Sequence, residues 1–448
     1  METIDFKGLW WLPDDPENHL SGVLQVEHGR PILETLGDFG HEELARTATE
    51  VSYSTSLETH ERILGISADG KDITLERSQG SPGHKMNFPG LSTASYAYLA
   101  ALVGKHFESG DPVEFDEVAI SATDLNAWTQ VNGFSGGVEM RDEGGPLTFV
   151  GMNVNFTGPE DIRIPLSGND EAFIRFRITS KGMGFRSASV SMTQDAELHL
   201  RFRKKTSLNQ VIERVGQVRN LLSLAVGRPV AILKVTGFRH DHTEGPANTP
   251  RPISVLWDIP HNPSPPTRDL LPNEMLFSLP EDQADAKKVF DGWFRKQERL
   301  KPVFNLFFGS RHHPDMSLEV RFLTYAQAVE TYDFRRRRKP GNLTLAQRVS
   351  DILGLRKTVS RKLVGEDLRP EGPFIKIFKD SRNYYTHYNP NKEKKAAKGV
   401  ALYLLTVQLQ AVLEMCLLRE LGFGARDTDE IFDRVGRYDE IDYFRCQI

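Results

Sequence analysis

At 448 residues the chain is too long for one ordinary hydrophobic core and implies two or three domains. Its 39% apolar and 26% charged residues are those of a soluble globular protein. The net charge of −5 hides an asymmetry: residues 1–280 carry 25 Lys and Arg against 37 Asp and Glu, whereas residues 331–400 carry 18 against 7. That local excess, not the overall balance, admits a polyanion such as nucleic acid as a ligand.

The N-terminal sequence METIDFKGLWWLPDDPENH lacks a basic segment followed by an apolar run, which argues against a secretory signal. The first half then reads as strands. Gly22–Val26 and Pro31–Phe39 flank a turn at His28-Gly29-Arg30, and RILGIS and DITLERS flank Ala68-Asp69-Gly70-Lys71, a hairpin signal. Alternating or β-branched runs continue in YAYLAALVG, PVEFDEVAIS, LTFVGMNVNF, AFIRFRIT, SASVSMT and ELHLRFR. Strands this numerous predict a β-rich, sandwich or barrel-like domain over residues 1–245. One helix interrupts them, opened by Ser207 with Gln210 in a capping box and ended at Gly227 and Pro229. Residues 246–280 hold nine prolines, a density that argues against helix or central strand and predicts a linker.

From residue 281 to 448 the pattern is helical, so the fold class expected is α+β multidomain with an all-α C-terminal part. Helical spacing covers Ala284–Gln297 and Ser317–Arg337, the latter with Leu318, Phe322, Val329 and Phe334 as its apolar positions. Thr344 and Gln347 form another capping box, Phe374–Asn389 is stopped by Pro390, and Lys392–Leu421 is closed by Gly422. Val400–Leu418 is the most apolar window, but Thr406, Gln408, Gln410 and Glu414 interrupt it, which favours a buried core helix over a membrane span. Cys416 and Cys446 fit a reducing compartment, and the cytoplasm is the expected location.

The stretch DSRNYYTHYNP, Asp380–Pro390, sits in the basic region and carries Arg382, Asn383 and His387 with Tyr384, Tyr385 and Tyr388 around them. An Arg followed a few residues later by His is common by chance; Arg77 and His84 also fit, but in a Gly/Pro turn between strands. What distinguishes Arg382 and His387 is the helix end, the basic surroundings and the aromatic interleaving. Residues five apart on a helix diverge by about 140°. Either His387 sits on a loosening last turn, or two copies face each other and share one cleft, which predicts a homodimer.

The residue types suit RNA cleavage without a metal or other cofactor. RNA supplies its own 2′-hydroxyl nucleophile, a histidine can take that proton or protonate the 5′-leaving oxygen, and an arginine can face the phosphoryl oxygens as charge builds. Tyr384, Tyr385 and Tyr388 are candidate base-stacking residues. Lys392, Lys394, Lys395 and Lys398, with Arg336 and Arg337 from the FRRRRK run, are candidate backbone contacts. Asn383 is a candidate to orient phosphate or histidine. The blander reading makes the tyrosines core or interface, the lysines a solvated face and the histidine a helix cap.

The segment RNYYTH resembles the Arg–Asn–(three residues)–His form of the HEPN ribonuclease motif, and RFLTYAQAVETYDFRRR resembles the preceding HEPN helix with its alanine–any–glutamate ending, here Ala328-Val329-Glu330. KGLWWLP, GVLQV, ILETLGDF and FDEVAISATDLNAW resemble the β-rich N-terminal domain of ApeA-type anti-phage proteins. The resemblance implies a dimeric or larger HEPN assembly with Arg382 and His387 catalytic, Asn383 assisting and Glu330 structural or auxiliary. It further implies a role in bacterial defence, in which infection triggers RNA cleavage and growth arrest; the opposite charge and separate fold of the N-terminal half suit it either to sense a phage-derived trigger or to hold the nuclease inactive. The alternative is a non-catalytic HEPN-like module that binds RNA, nucleotide or a protein. Arg239-His240-Asp241-His242 and His312-His313 lack the CxxC or HExxH context of a metal site and read as exposed loop histidines.

Overall fold

The computed structural model describes residues 3–40, 42–46, 51–55, 58–85, 91–141, 146–182, 189–245, 248–337 and 341–445. The chain folds into two compact units, each assembled from separate stretches of sequence. Residues 1–121, 198–214 and 232–264 form the first, and residues 122–197, 215–231 and 265–448 form the second.

The first unit is built on a closed antiparallel barrel. Strands Ile4–Leu12, Asp15–Glu27, Arg30–Leu36, Thr93–Val103, Asp72–Ser78 and Arg62–Ser67 pair in that order, and the last pairs back with the first. Alternation decides which side chains enter: Pro31, Leu33 and Thr35 are buried while Arg30, Glu34 and Leu36 are exposed. Trp10, Leu24, Leu33, Ile63, Ile73 and Leu75 fill the interior. Gly65 is required there, since a Cβ would lie 2.2 Å from Trp10 Cε3.

The proline-rich stretch contributes a strand, against the expectation from its proline count. Ile253–Trp257 lies between Thr93–Val103 and Ile232–Phe238, with Ser254 opposite both Val103 and Thr236. Pro250, Pro252 and Pro260 bracket these five residues rather than interrupt them, so every amide in the strand keeps its donor.

The second unit is mainly helical. It contains α1 (Leu125–Thr129), the second half of α2 (Leu208–Val226), α3 (Gln283–Arg311), α4 (Leu318–Arg336), α5 (Leu345–Leu353), α6 (Lys357–Val364), α7 (Pro373–His387), α8 (Val400–Leu421), α9 (Ala425–Arg434) and α10 (Asp439–Arg445). Helix α8 is long and apolar enough to cross a membrane, but 72% of its most apolar window is buried by neighbours that include α3, α4 and α6. Its polar residues have partners: Glu414 takes Arg311 and the Tyr438 hydroxyl, and Gln408 donates to Leu363 O at 2.8 Å. Cys416 is fully enclosed, and burial pushes its thiol up to about 12, so it is inert packing. Cys446 lies outside the described residues.

Two helix boundaries shift well beyond the sequence reading, and one helix, α6, has no counterpart in it. Helix α3 continues past Gln297 through Pro302 to Arg311, because Leu300, Val303, Phe304, Phe307 and Phe308 keep a buried stripe running through the proline. Helix α8 begins at Val400, not Lys392; Pro390–Lys395 is a 3₁₀ segment, and Gly399, at φ 54° and ψ −125°, breaks the path between them. Helix α6 has little signal in the sequence, its buried apolar stripe amounting to Val359 and Leu363. The Thr344–Gln347 capping box and the left-handed Gly422 stop are both present.

A two-stranded hairpin, Phe134–Arg141 with Thr148–Phe156, also belongs to this unit. Val138 lies opposite Met152 and Met140 opposite Phe149, so one face is apolar, while Ser135, Glu139, Asn153 and Asn155 take the other. The apolar face is open: Phe149 is 61% and Met152 67% exposed.

Candidate active site

Gly372 is the N-cap of helix α7, with Pro373 in the first helical position, where its missing N–H costs nothing. Phe374, Ile375, Phe378, Ser381 and Tyr385 form its buried stripe, and Phe322 of α4 packs edge-on against Phe378 and Tyr385. This packing leaves Arg382, Asn383, Thr386 and His387 away from the core.

Arg382 opens into a cleft of about 500 Å³ between α4 and α7. Gln327, Glu330, Thr331 and Phe334 line it from α4, and Thr386 joins Arg382 from α7. The Arg382 guanidinium lies 3.4 Å from Glu330 Oε2, a long ion pair that holds it while leaving donors free to turn to another anion. Asn383 is half-buried beside it.

His387 is exposed and is the last residue of α7. Tyr388 then enters the left-handed region at φ 47° and ends the helix, its N–H donating to Tyr384 O. His387 does not line the cleft that Arg382 enters. Within one chain the two groups therefore keep the divergence that helix geometry sets.

The basic loop after α7 is tied to it. Ala397 N–H donates to Ser381 Oγ and Ala397 O accepts from the Tyr385 hydroxyl, both at 2.9 Å. Those two bonds hold the segment with Lys392, Lys394 and Lys395, all exposed, against the end of the helix that carries His387. Lys398 pairs with Glu393 at 2.6 Å, and its ammonium lies 5.9 Å from the Tyr384 ring.

The expected RNA-binding residues separate into two groups. Tyr388 is 59% exposed and Tyr384 is half-buried, so both present ring surface. Tyr385 is only 7% exposed and its hydroxyl is engaged, which makes it a strut rather than a stacking surface. Arg336 and Arg337 are likewise committed: fully buried Asp333 binds them at 2.7 and 2.9 Å and also takes Arg348 at 3.0 Å. Arg337 reaches Asp351 as well. Arg338 and Lys339 lie outside the described residues.

The other Arg/His pair does not form a site. Arg77 donates to Asn209 and His84 faces Asp38. Arg239 is paired with Asp241, His240 is exposed beside Asp116, and His242 bonds Gly104 O at 3.0 Å. His312 is not an exposed loop residue. It caps the extended α3 and is buried, with Nε2 3.0 Å from Asn220 Oδ1. The cleft residues Gln327, Thr331 and Phe334 were missed as site residues. Their spacing of three and four marks one stripe of α4, but Phe334 reads in sequence as part of an apolar core face, whereas it is 41% exposed.

Residues 5–293 match the family model for ApeA N-terminal domain 1, and residues 323–427 match that for the ApeA-like HEPN domain. No match was found among curated proteins or among solved structures.

Proposed function

The chain belongs to the ApeA-type family, with ApeA N-terminal domain 1 followed by an ApeA-like HEPN domain, and from that premise we propose that this defence-related HEPN module is a metal-independent endoribonuclease. In this reading His387 removes the proton of an RNA 2′-hydroxyl and the freed oxygen attacks the adjacent phosphorus. The bond to the 5′-oxygen breaks, and that oxygen takes up a proton from the His387 imidazolium or from water. The ends produced are a 2′,3′-cyclic phosphate and a 5′-hydroxyl. Arg382 faces the non-bridging oxygens as negative charge grows, Asn383 orients the phosphate, and Glu330 keeps the guanidinium in place. Lys392, Lys394 and Lys395 hold the RNA backbone, with Tyr384 and Tyr388 beside it.

Because Arg382 and His387 diverge on α7, the reading requires two chains whose α7 helices face each other across a shared cleft. The acidic N-terminal region senses a phage-derived trigger or restrains the nuclease, and the site of action is the cytoplasm, where RNA is plentiful. The observation that carries the proposal is that Arg382 sits in an open cleft and His387 on the exposed end of the same helix, neither enclosed by apolar neighbours. One observation favours a non-catalytic binding module instead: His387 stays outside the Arg382 cleft in a single chain.

The deciding experiment is RNA cleavage by the purified full chain and by His387→Ala, with EDTA present and both product ends mapped. EDTA-resistant cutting that leaves cyclic phosphate and disappears in the variant is the expected result. Equal cutting by both proteins removes His387 from the mechanism, and RNA binding without cutting in extracts of infected cells supports the binding module.

A further inference from the structure

The groove between α4 and α7 has more in it than an arginine. Gln327, Glu330, Thr331 and Phe334 follow each other along one stripe of α4, with Arg382 and Thr386 opposite. From Glu330 to Phe334 the helix rises about 6 Å. That is close to the span between the phosphate of a nucleotide and its base. The volume of about 500 Å³ accommodates a nucleotide unit.

Phe334 is an unusual exposed phenylalanine because it is clamped. The Arg348 guanidinium carbon lies 3.8 Å from the ring centroid and covers one face. Arg348 is itself 5% exposed and immobilised by Asp333, Leu343 O and Gly341 O at 3.0–3.2 Å. The residue is still 41% exposed and lines the groove. A rigid, half-covered aromatic surface loses little freedom when a second flat group stacks on it. One turn before it on the same stripe, the half-buried Thr331 hydroxyl offers a donor and an acceptor in one group. This is the chemistry that reads a base edge.

We propose that this groove is a nucleobase subsite: with a phosphate at Arg382, the adjoining base stacks on Phe334 and its edge is read by Thr331. The inference rests on the reading that Arg382 binds RNA phosphate. It adds a base preference at one position next to that phosphate, supplied by residues outside the Arg/His motif.

The test uses equilibrium binding to the full chain of a labelled oligoribonucleotide that is 2′-O-methylated throughout and so cannot be cut, alongside the same strand made abasic. Phe334→Leu is expected to weaken the intact strand about tenfold and to leave the abasic strand unchanged. Phe334→Tyr, which retains a ring, is expected to restore binding. Thr331→Val is expected to change the ranking of strands that differ in one base. Equal affinity of wild type and Phe334→Leu for the intact strand, or an equal loss on both strands, overturns the subsite. If Phe334→Leu discriminates as expected but Arg382→Ala binds both strands like wild type, the subsite stands and the phosphate assignment of Arg382 falls. Failure of the wild type to bind either strand overturns both.

Discussion

Glu330 and Arg382 meet at 3.4 Å, a separation at which the carboxylate orients the guanidinium without saturating it. Their side chains are 29% and 35% exposed, so water screens the pair and its value lies in position rather than stability. Glu330→Gln is therefore expected to lower kcat/KM for RNA by about tenfold while leaving the melting temperature nearly unchanged; unchanged kinetics would make Glu330 a bystander. A second carboxylate behaves differently. Glu420, 7% exposed, receives Lys296 at 2.6 Å, Arg299 at 2.7 Å and the Tyr332 hydroxyl at 3.0 Å. Burial works against its charge, but the hydrogen bonds and the cations outweigh it and hold its pKa below the ordinary 4.5. A lowered folded pKa means that this stabilisation is fully present above the unfolded value and is lost as pH falls through the folded one. Urea midpoints are expected to drop on acidification below about pH 4.5, and Glu420→Gln to flatten that part of the profile.

At the scale of elements, Ser381 and Tyr385 on α7 grip both polar groups of Ala397 and so fix the start of the path from the lysine loop into α8. Tyr385→Phe removes one of those bonds at a cost of about 1 kcal/mol. It is expected to raise KM for RNA more than it lowers kcat, because the loop loosens while Arg382 and His387 stay where they are. A fall in kcat alone would place Tyr385 in the chemistry instead. Elements with a local chemical signature were legible in the sequence: the Thr344–Gln347 box, the Gly422 stop, and the turn at His28-Gly29, where both residues take positive φ. What was not legible depends on distant partners. Ile253–Trp257 becomes a central strand because Thr93–Val103 and Ile232–Phe238 both leave it an edge, and α3 runs through Pro302 because buried aromatics on both sides outweigh one missing hydrogen bond. At the candidate site, the motif gave Arg382 and His387, but the engagement of Arg336 and Arg337 by Asp333 and the exposure of Phe334 follow from tertiary packing.

For the molecule as a whole, the second unit is not the C-terminal segment alone. Trp293 donates to Gln217 O at 2.9 Å, Asp291 accepts from the Ser167 amide and hydroxyl at 2.8 Å, and Arg311 donates to Ser223 O at 2.9 Å. A fragment of residues 281–448 loses all of these partners and uncovers Trp293, which is 1% exposed in the full chain. Such a fragment is expected to aggregate or to melt well below the intact protein, as read by circular dichroism and gel filtration; equal melting would show those upstream contacts to be dispensable. The proposed restraint of a ribonuclease activity is therefore better tested by substitutions in the intact chain than by cutting at the proline-rich stretch.

The apolar face of the Phe134–Phe156 hairpin carries two thioethers, Met140 at 46% and Met152 at 67% exposure, and this makes it chemically erasable. Mild peroxide converts exposed methionine to the polar sulfoxide, and methionine sulfoxide reductases reverse the change. Treated protein is expected to elute earlier from a hydrophobic-interaction column, with oxidation mapped to these two positions, and to regain its retention after enzymatic reduction. A surface that is greasy when reduced and wettable when oxidised would tie the stickiness of this protein to the oxidative state of its surroundings.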